Sequence, residues 1–151
     1  MFRGINSVAL DTNGRIKLPV RHSRQLLAYE STSIVVTIDA DSPCLLLYPM
    51  QEWEFVEEKL QALPSFNPAA RRIQRLLIGH ASDLELDAKK RILLPELLRD
   101  YAGISREVMA VGQGKKIELW AANIWLEYRA RWLTEIIKPS DLPDGLQSLA
   151  L

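Results

Sequence analysis

Leu10-Asp11-Thr12-Asn13-Gly14-Arg15-Ile16-Lys17-Leu18-Pro19 and Leu86-Asp87-Ala88-Lys89-Lys90-Arg91-Ile92-Leu93-Leu94-Pro95 are one pattern written twice, 76 residues apart. Both carry Leu, Asp, Arg, Ile, Leu and Pro at matching positions. Downstream, Leu45-Leu46-Leu47-Tyr48 and Trp53 match Ile117-Glu118-Leu119-Trp120 and Trp125 at an offset of 72. Agreement in order and spacing at both ends marks a duplicated unit. The first copy holds four extra residues, expected in the loop around 28 to 33 or around 39 to 43.

Each copy reads the same way. Ser7-Val8-Ala9-Leu10 and Ile16-Lys17-Leu18 alternate apolar and polar residues, as half-buried strands do. They flank Asn13-Gly14, a strong signal for a two-residue hairpin with φ > 0 at both central positions. Pro19 then opens a short helix to about Leu27, as Pro95 opens one that Gly103 closes. Strands follow near 34–38 and 44–48, and near 108–111 and 116–120. A helix from Gln51 to Leu63 places Trp53, Val56, Leu60 and Leu63 on one face. Asn67-Pro68 caps a second helix through Ile78, ended by Gly79. Ala122 to Ile137 sets Trp125, Tyr128, Trp132 and Ile136 at helical spacing. The tail from Pro139 to Leu151 reads as loosely held or docked on a neighbour. The expected layout is a first unit over 5–52, a helical connector over 53–80, a second unit over 81–125, and a C-terminal helix and tail over 126–151. Units of about fifty residues have marginal cores, so the two copies are expected to interlock as a pseudo-two-fold pair.

The chain has 151 residues, 48% hydrophobic and 25% charged, which excludes the disordered and fibrous classes. It has no apolar run approaching the roughly 20 residues of a membrane span. Met1 to Asn6 lacks an apolar signal core, so a cytoplasmic protein is expected. Cys44 is the only cysteine, which excludes an internal disulfide and a cysteine-based zinc site. The formal net charge is zero, with 19 basic and 19 acidic residues, but the charges are sorted along the chain. Residues 1–24 hold Arg3, Arg15, Lys17, Arg21 and Arg24 against Asp11, whereas 52–58 hold Glu52, Glu54, Glu57 and Glu58 with no basic group.

The opening Met1-Phe2-Arg3-Gly4, the two Asp-x-x-x-Arg motifs at Asp11/Arg15 and Asp87/Arg91, Pro43-Cys44-Leu45-Leu46-Leu47-Tyr48-Pro49 and Arg75-Leu76-Leu77-Ile78-Gly79-His80-Ala81 together resemble the MraZ family over nearly the whole chain. The likeness weakens after about Trp132. The resemblance implies an α+β fold: duplicated AbrB-like swapped-hairpin β-barrel units with flanking helices. It also implies a nucleoid-associated, ring-forming repressor of its own operon, at the head of the division and cell-wall gene cluster. Double-stranded promoter DNA carrying repeated boxes would be its partner. One position departs from the family pattern: Lys90 stands where a glycine usually precedes Arg91. If that position needs φ > 0, a side chain there costs about 1–2 kcal/mol. The second hairpin then either turns differently or holds Lys90 under strain.

Asp11 and Asp87, with Gly14, read as turn-forming residues; Asp11 either accepts turn N–H groups or pairs with Arg15. Arg15 and Arg91 are candidates for DNA contact, because a guanidinium takes phosphate or guanine O6/N7 bidentately. Arg15 and Lys17 would share one strand face, and Arg3, Arg21, Arg24, Lys89 and Lys90 would widen the basic surface. A solvated basic face is the usual meaning of such a cluster, but the scarcity of acids, and the ability of a two-stranded ribbon to enter a major groove, put DNA contact above it. Arg71, Arg72 and Arg75 are expected to pair with acids such as Glu57 and Glu58, within the chain or across an interface. Asp11/His22/Ser23 and His80/Ser82/Asp83 lack a nucleophile elbow, and two histidines with one cysteine make a poor metal set. No enzyme, cofactor or metal is therefore expected. The competing reading is an oligomeric protein-interaction or antitoxin-like module, motivated by the segregated glutamates and the apolar tail.

Overall fold

The computed structural model describes residues 1–30 and 32–147, so Ser31 and the last four residues of the tail lie outside it. The elements are β1 (Ile5–Ala9), β2 (Arg15–Lys17), α1 (Val20–Leu27), β3 (Ser33–Ile38), β4 (Leu45–Pro49), α2 (Met50–Gln61) and α3 (Pro68–Leu77). Then come β5 (Ser82–Glu85), β6 (Arg91–Leu93), α4 (Glu96–Ala102), β7 (Glu107–Gln113), β8 (Lys116–Ala121), α5 (Ala122–Thr134), a 3₁₀ turn at Pro139–Asp141 and α6 (Asp144–Gln147).

The strands form a six-stranded antiparallel sheet in the order β1-β7-β8-β4-β3-β5 and a separate ribbon of β2 with β6. Exchanging the copies maps this order onto itself, so the fold is α+β with a pseudo-two-fold axis. The axis passes between Leu46 and Glu118 in the sheet and between Ile16 and Ile92 in the ribbon, each pair directly opposed. Ile38 faces Leu45 as Gly112 faces Ile117, giving offsets of 74 at the third strand of each copy and 72 at the fourth. The four extra residues are therefore shared, two before β3 and two after it.

The local hairpin expected from Asn13-Gly14 does not form. Beyond the single bridge of Leu10 to Ile16, β1 turns away from β2 and pairs with β7, while β2 pairs with β6 of the other copy. The reason is burial. A short hairpin leaves its apolar face in water, whereas the exchange drives Ile16 and Ile92 to 0% exposure. The ribbon thus bridges the two edge strands, because β1 runs into β2 and β5 into β6.

The sheet is the middle layer. Residues alternating along its strands, such as Leu45 and Leu47, join Ile16, Leu18, Leu26, Ile92, Leu94 and Leu98 in the core beneath the ribbon. Leu46, Tyr48 and Trp120 point the other way and are covered by Trp53 and Leu60 of α2 and Trp125 of α5. Val56 and Leu63 are only partly buried there. Pro19 and Pro95 act as N-caps one residue earlier than expected, with ψ near 140° before the helix begins. Asn67 caps α3 as read, accepting from the Ala70 N–H at 3.0 Å. Gly79 lies beyond the helix end and is not a left-handed cap; a Cβ there would sit 2.2 Å from the Arg75 carbonyl oxygen. Gly103 does close α4 with φ 66°. α5 stops at Thr134, whose hydroxyl bonds the Ala130 and Arg131 carbonyls, so Ile136 lies past the helix and is 90% exposed. No helix is long and apolar enough to cross a membrane among the described residues.

Candidate nucleic-acid interface

The two Asp-x-x-x-Arg motifs build the same turn. The Gly14 N–H donates to the Asp11 carbonyl at 3.1 Å, and the Lys90 N–H donates to the Asp87 carbonyl at 3.0 Å. Each aspartate closes its turn again from the side chain. Asp11 Oδ1 accepts from the Asn13 and Arg15 N–H groups at 2.8 and 2.9 Å, and Asp87 Oδ1 accepts from Lys89 and Arg91 at 2.9 Å each. These backbone bonds, first of all the one from the arginine N–H, hold both carboxyls below the usual range.

Asn13 does not take up positive φ, so this is not the two-residue turn that Asn-Gly suggests. It is a four-residue turn ended by one left-handed residue, the pattern of a type I turn with a bulge. Gly14 fills that last place at φ 83° and Lys90 at φ 64°. Lys90 is the only non-glycine with positive φ among the described residues. The second turn therefore keeps the geometry of the first and carries the strain. The spaces differ as well: a Cβ on Gly14 would lie 3.2 Å from the Arg99 guanidinium carbon. The position equivalent to Arg99 in the first copy is Ser23, a much smaller residue.

In the ribbon Arg15 faces Leu93, Ile16 faces Ile92 and Lys17 faces Arg91. Alternation buries the central isoleucines and turns Arg15, Lys17, Arg91 and Leu93 outward together. The flanking bonds, Leu94 N–H to the Gly14 carbonyl at 2.9 Å and Leu18 N–H to the Lys90 carbonyl at 3.1 Å, identify Arg15/Leu93 and Lys17/Arg91 as non-hydrogen-bonded pairs. In such pairs the side chains approach most closely. Lys89 and Lys90 lie on the turn that leads into β6.

The two arginines differ in their restraints. Arg91 donates from Nε to Asp87 Oδ2 at 2.9 Å, and its Nη1 lies 3.6 Å from Asp11 Oδ2. The only other ion pair among the described residues is Lys115 with Glu52, so Arg15 has none. The pairing of Asp11 with Arg15 is thus replaced by pairing with Arg91. Glu57 and Glu58 likewise form no ion pair with Arg71, Arg72 or Arg75.

Arg3, Arg21 and Arg24 sit apart from the ribbon face. Arg3 precedes β1 at the end away from the turn, where Gly112 N–H bonds the Gly4 carbonyl at 2.9 Å. The Arg21 guanidinium reaches the same segment, 3.5 Å from where a Gly4 Cβ would stand. Arg24 is exposed one turn further along α1. Acidic α2 lies across the sheet from the ribbon, so a chain of zero net charge carries its ribbon cations and helix glutamates on opposite faces.

The dismissed triads are not assembled. His22 is fully buried, its Nδ1 is 3.5 Å from Gln25 Oε1, and the Ser23 hydroxyl is spent on the Val20 carbonyl. His80 Nδ1 meets the Leu76 carbonyl at 2.7 Å. Asp39, Cys44 and Glu118 bring potential ligand atoms within 4.8 Å of one another, but they satisfy local needs. Cys44 Sγ points at Asp39 Oδ2, Glu118 accepts from Trp120 Nε1 at 3.0 Å, and burial pushes the thiol pKa up, away from the thiolate a metal needs. Sequence reasoning missed Arg99 and Leu93, both of which emerge once the copies are superposed position by position.

The family model described as "MraZ protein, putative antitoxin-like" matches residues 1–76 and again 77–139. Proteins named transcriptional regulator MraZ are 49% identical in Legionella pneumophila (strain Corby), 51% in Coxiella burnetii (strain Dugway 5J108-111) and 48% in Halorhodospira halophila. Each alignment covers 100% of this chain and 100% of the relative.

Proposed function

The chain belongs to the MraZ family of transcriptional regulators, which are not enzymes, and from that premise we propose that it works by gripping double-stranded promoter DNA with the β2–β6 ribbon. The observation that carries this reading is the shared outward face of Arg15, Lys17 and Arg91 over a buried Ile16/Ile92 pair. A two-stranded ribbon fits the major groove. Its rigid backing holds the outward side chains in register with base edges. Arg15, free of ion pairs, takes guanine O6/N7. Arg91, braced by two aspartates, does so only by exchanging them for the base.

Lys17, Arg21, Arg24, Lys89 and Lys90 hold phosphates, with Arg3 extending the contact past α1. In this reading the units over 5–52 and 81–125 form one ribbon module, and copies of the chain assemble into a ring. One module binds weakly. A ring that presents several to repeated boxes raises effective concentration without new contacts. The protein then acts in the cytoplasm on the nucleoid, repressing its own operon.

The test is fluorescence anisotropy on a fragment of the gene's own upstream region, against a scrambled duplex and across a salt series. Specific binding is expected, with log K falling at about 0.9 per phosphate contact against log salt. Arg15→Ala is expected to lose the preference while keeping its oligomer size. Equal affinity for both duplexes, or affinity insensitive to salt, would overturn the reading and favour a protein partner.

A further inference from the structure

The ribbon face is basic in three of its four outward places and apolar in the fourth. Leu93 occupies the position that Lys17 holds in the first copy, and it is 45% exposed beside Arg15. The difference continues into the helices, where Leu97, 66% exposed, stands at the place of Arg21. A leucine 45% exposed on a face otherwise made of arginine and lysine leaves apolar surface there for whatever the ribbon meets to cover.

Resting on the DNA-binding reading above, we infer that Leu93 is a specificity-determining residue that packs against the C5-methyl group of a thymine beside the base taken by Arg15. The chemistry is direct: in the major groove thymine alone offers an apolar methyl, and short apolar side chains are what read it. The geometry is equally direct. Arg15 and Leu93 are a non-hydrogen-bonded cross-strand pair, whose Cβ atoms stand about 4.5–5.5 Å apart. That separation is between one and two base-pair steps. The pseudo-symmetric place holds Lys17, which cannot make this contact, so the two halves of the ribbon read different bases and orient each module on its box.

The experiment replaces each thymine of the upstream fragment in turn by deoxyuridine, which keeps Watson–Crick pairing and removes only the methyl. Wild type is expected to weaken roughly three- to fivefold, the value of one buried methyl, at a thymine within about two base pairs of the guanine sensed by Arg15. Leu93→Ala and Leu93→Lys are expected to bind the thymine and uracil duplexes equally there. The inference is overturned if no uracil substitution weakens wild type, or if Leu93→Ala keeps the penalty. It is also overturned if Leu93→Ala changes the oligomer size, which would place Leu93 in a subunit contact. Failure of wild type to prefer the fragment over scrambled DNA would instead bring down the DNA-binding reading itself.

Discussion

The two turn-ribbon-helix segments, 10–26 and 86–102, follow the same order of turn, strand and helix and differ in what each side chain is asked to do. The first carries Gly14, Lys17, Arg21, His22 and Ser23; the second carries Lys90, Leu93, Leu97, Leu98 and Arg99 at the same places. At these five places the turn, strand and helix positions match between the copies, including a lysine at φ 64° where the first copy has glycine. Duplication within one chain thus frees the halves of a symmetric module to specialise. A dimer of identical chains would be bound to change both halves at once. The first segment is the more cationic. The second has the tethered arginine, the apolar reader and the strained turn.

The largest expected contrast lies in DNA binding. Arg15→Ala removes a guanidinium held by no ion pair and is expected to cost about 1–3 kcal/mol of base discrimination. Arg91→Ala removes one already engaged by Asp87 and Asp11 and is expected to cost less, when anisotropy titrations of both variants are compared at one salt concentration. Equal losses would erase the distinction between the arginines.

Next comes the core. His22 is fully buried with its Nε2 lacking a hydrogen-bond partner, where the second segment buries Leu98. Burial, helped by the neighbouring Arg21 charge and opposed by the Gln25 bond, holds its pKa below 6.5. His22→Leu is expected to stabilise the protein by roughly 1–3 kcal/mol in denaturant titrations, the cost of an unsatisfied buried polar group. In the wild type, the part of the stability that depends on neutral His22 is full above about pH 6.5. It declines below that, because the unfolded chain gains a proton that the folded one resists. The leucine variant should lose that part of the decline, and an unchanged profile would assign the acid sensitivity elsewhere.

A smaller effect separates the turns. Lys90→Gly relieves a left-handed lysine and is expected to raise stability by about 1 kcal/mol, while Gly14→Ala adds strain and crowds Arg99. Both changes can be followed by thermal melts; destabilisation by Lys90→Gly would mean the lysine side chain compensates its backbone. The smallest effect is acid weakening of the turns themselves. Asp11 and Asp87 have depressed values, so their contribution is present above about pH 3.8 and is lost as pH falls through the folded values. Asp87 also receives the Arg91 Nε–H, so Asp87→Asn should flatten the profile below pH 3.8 more than Asp11→Asn does.

Much of this molecule is set by local chemistry and can be read without coordinates. The duplication, the Asp-closed turns, the helix after each proline, the Asn67 cap and the alternating strands all follow from residue type and spacing over a few positions. So does the candidacy of Arg15 and Lys17 for one face, since strand alternation has a period of two. Partner choice depends on burial summed over distant residues. That β2 leaves β1 for β6, that Arg91 reaches Asp11 from the other copy, and that Leu93 stands beside Arg15 are decided only when both copies share one core. Short strands carry no label for their partner. Two copies with nearly the same pattern can pair within or between themselves, and the arrangement that removes Ile16 and Ile92 from water prevails.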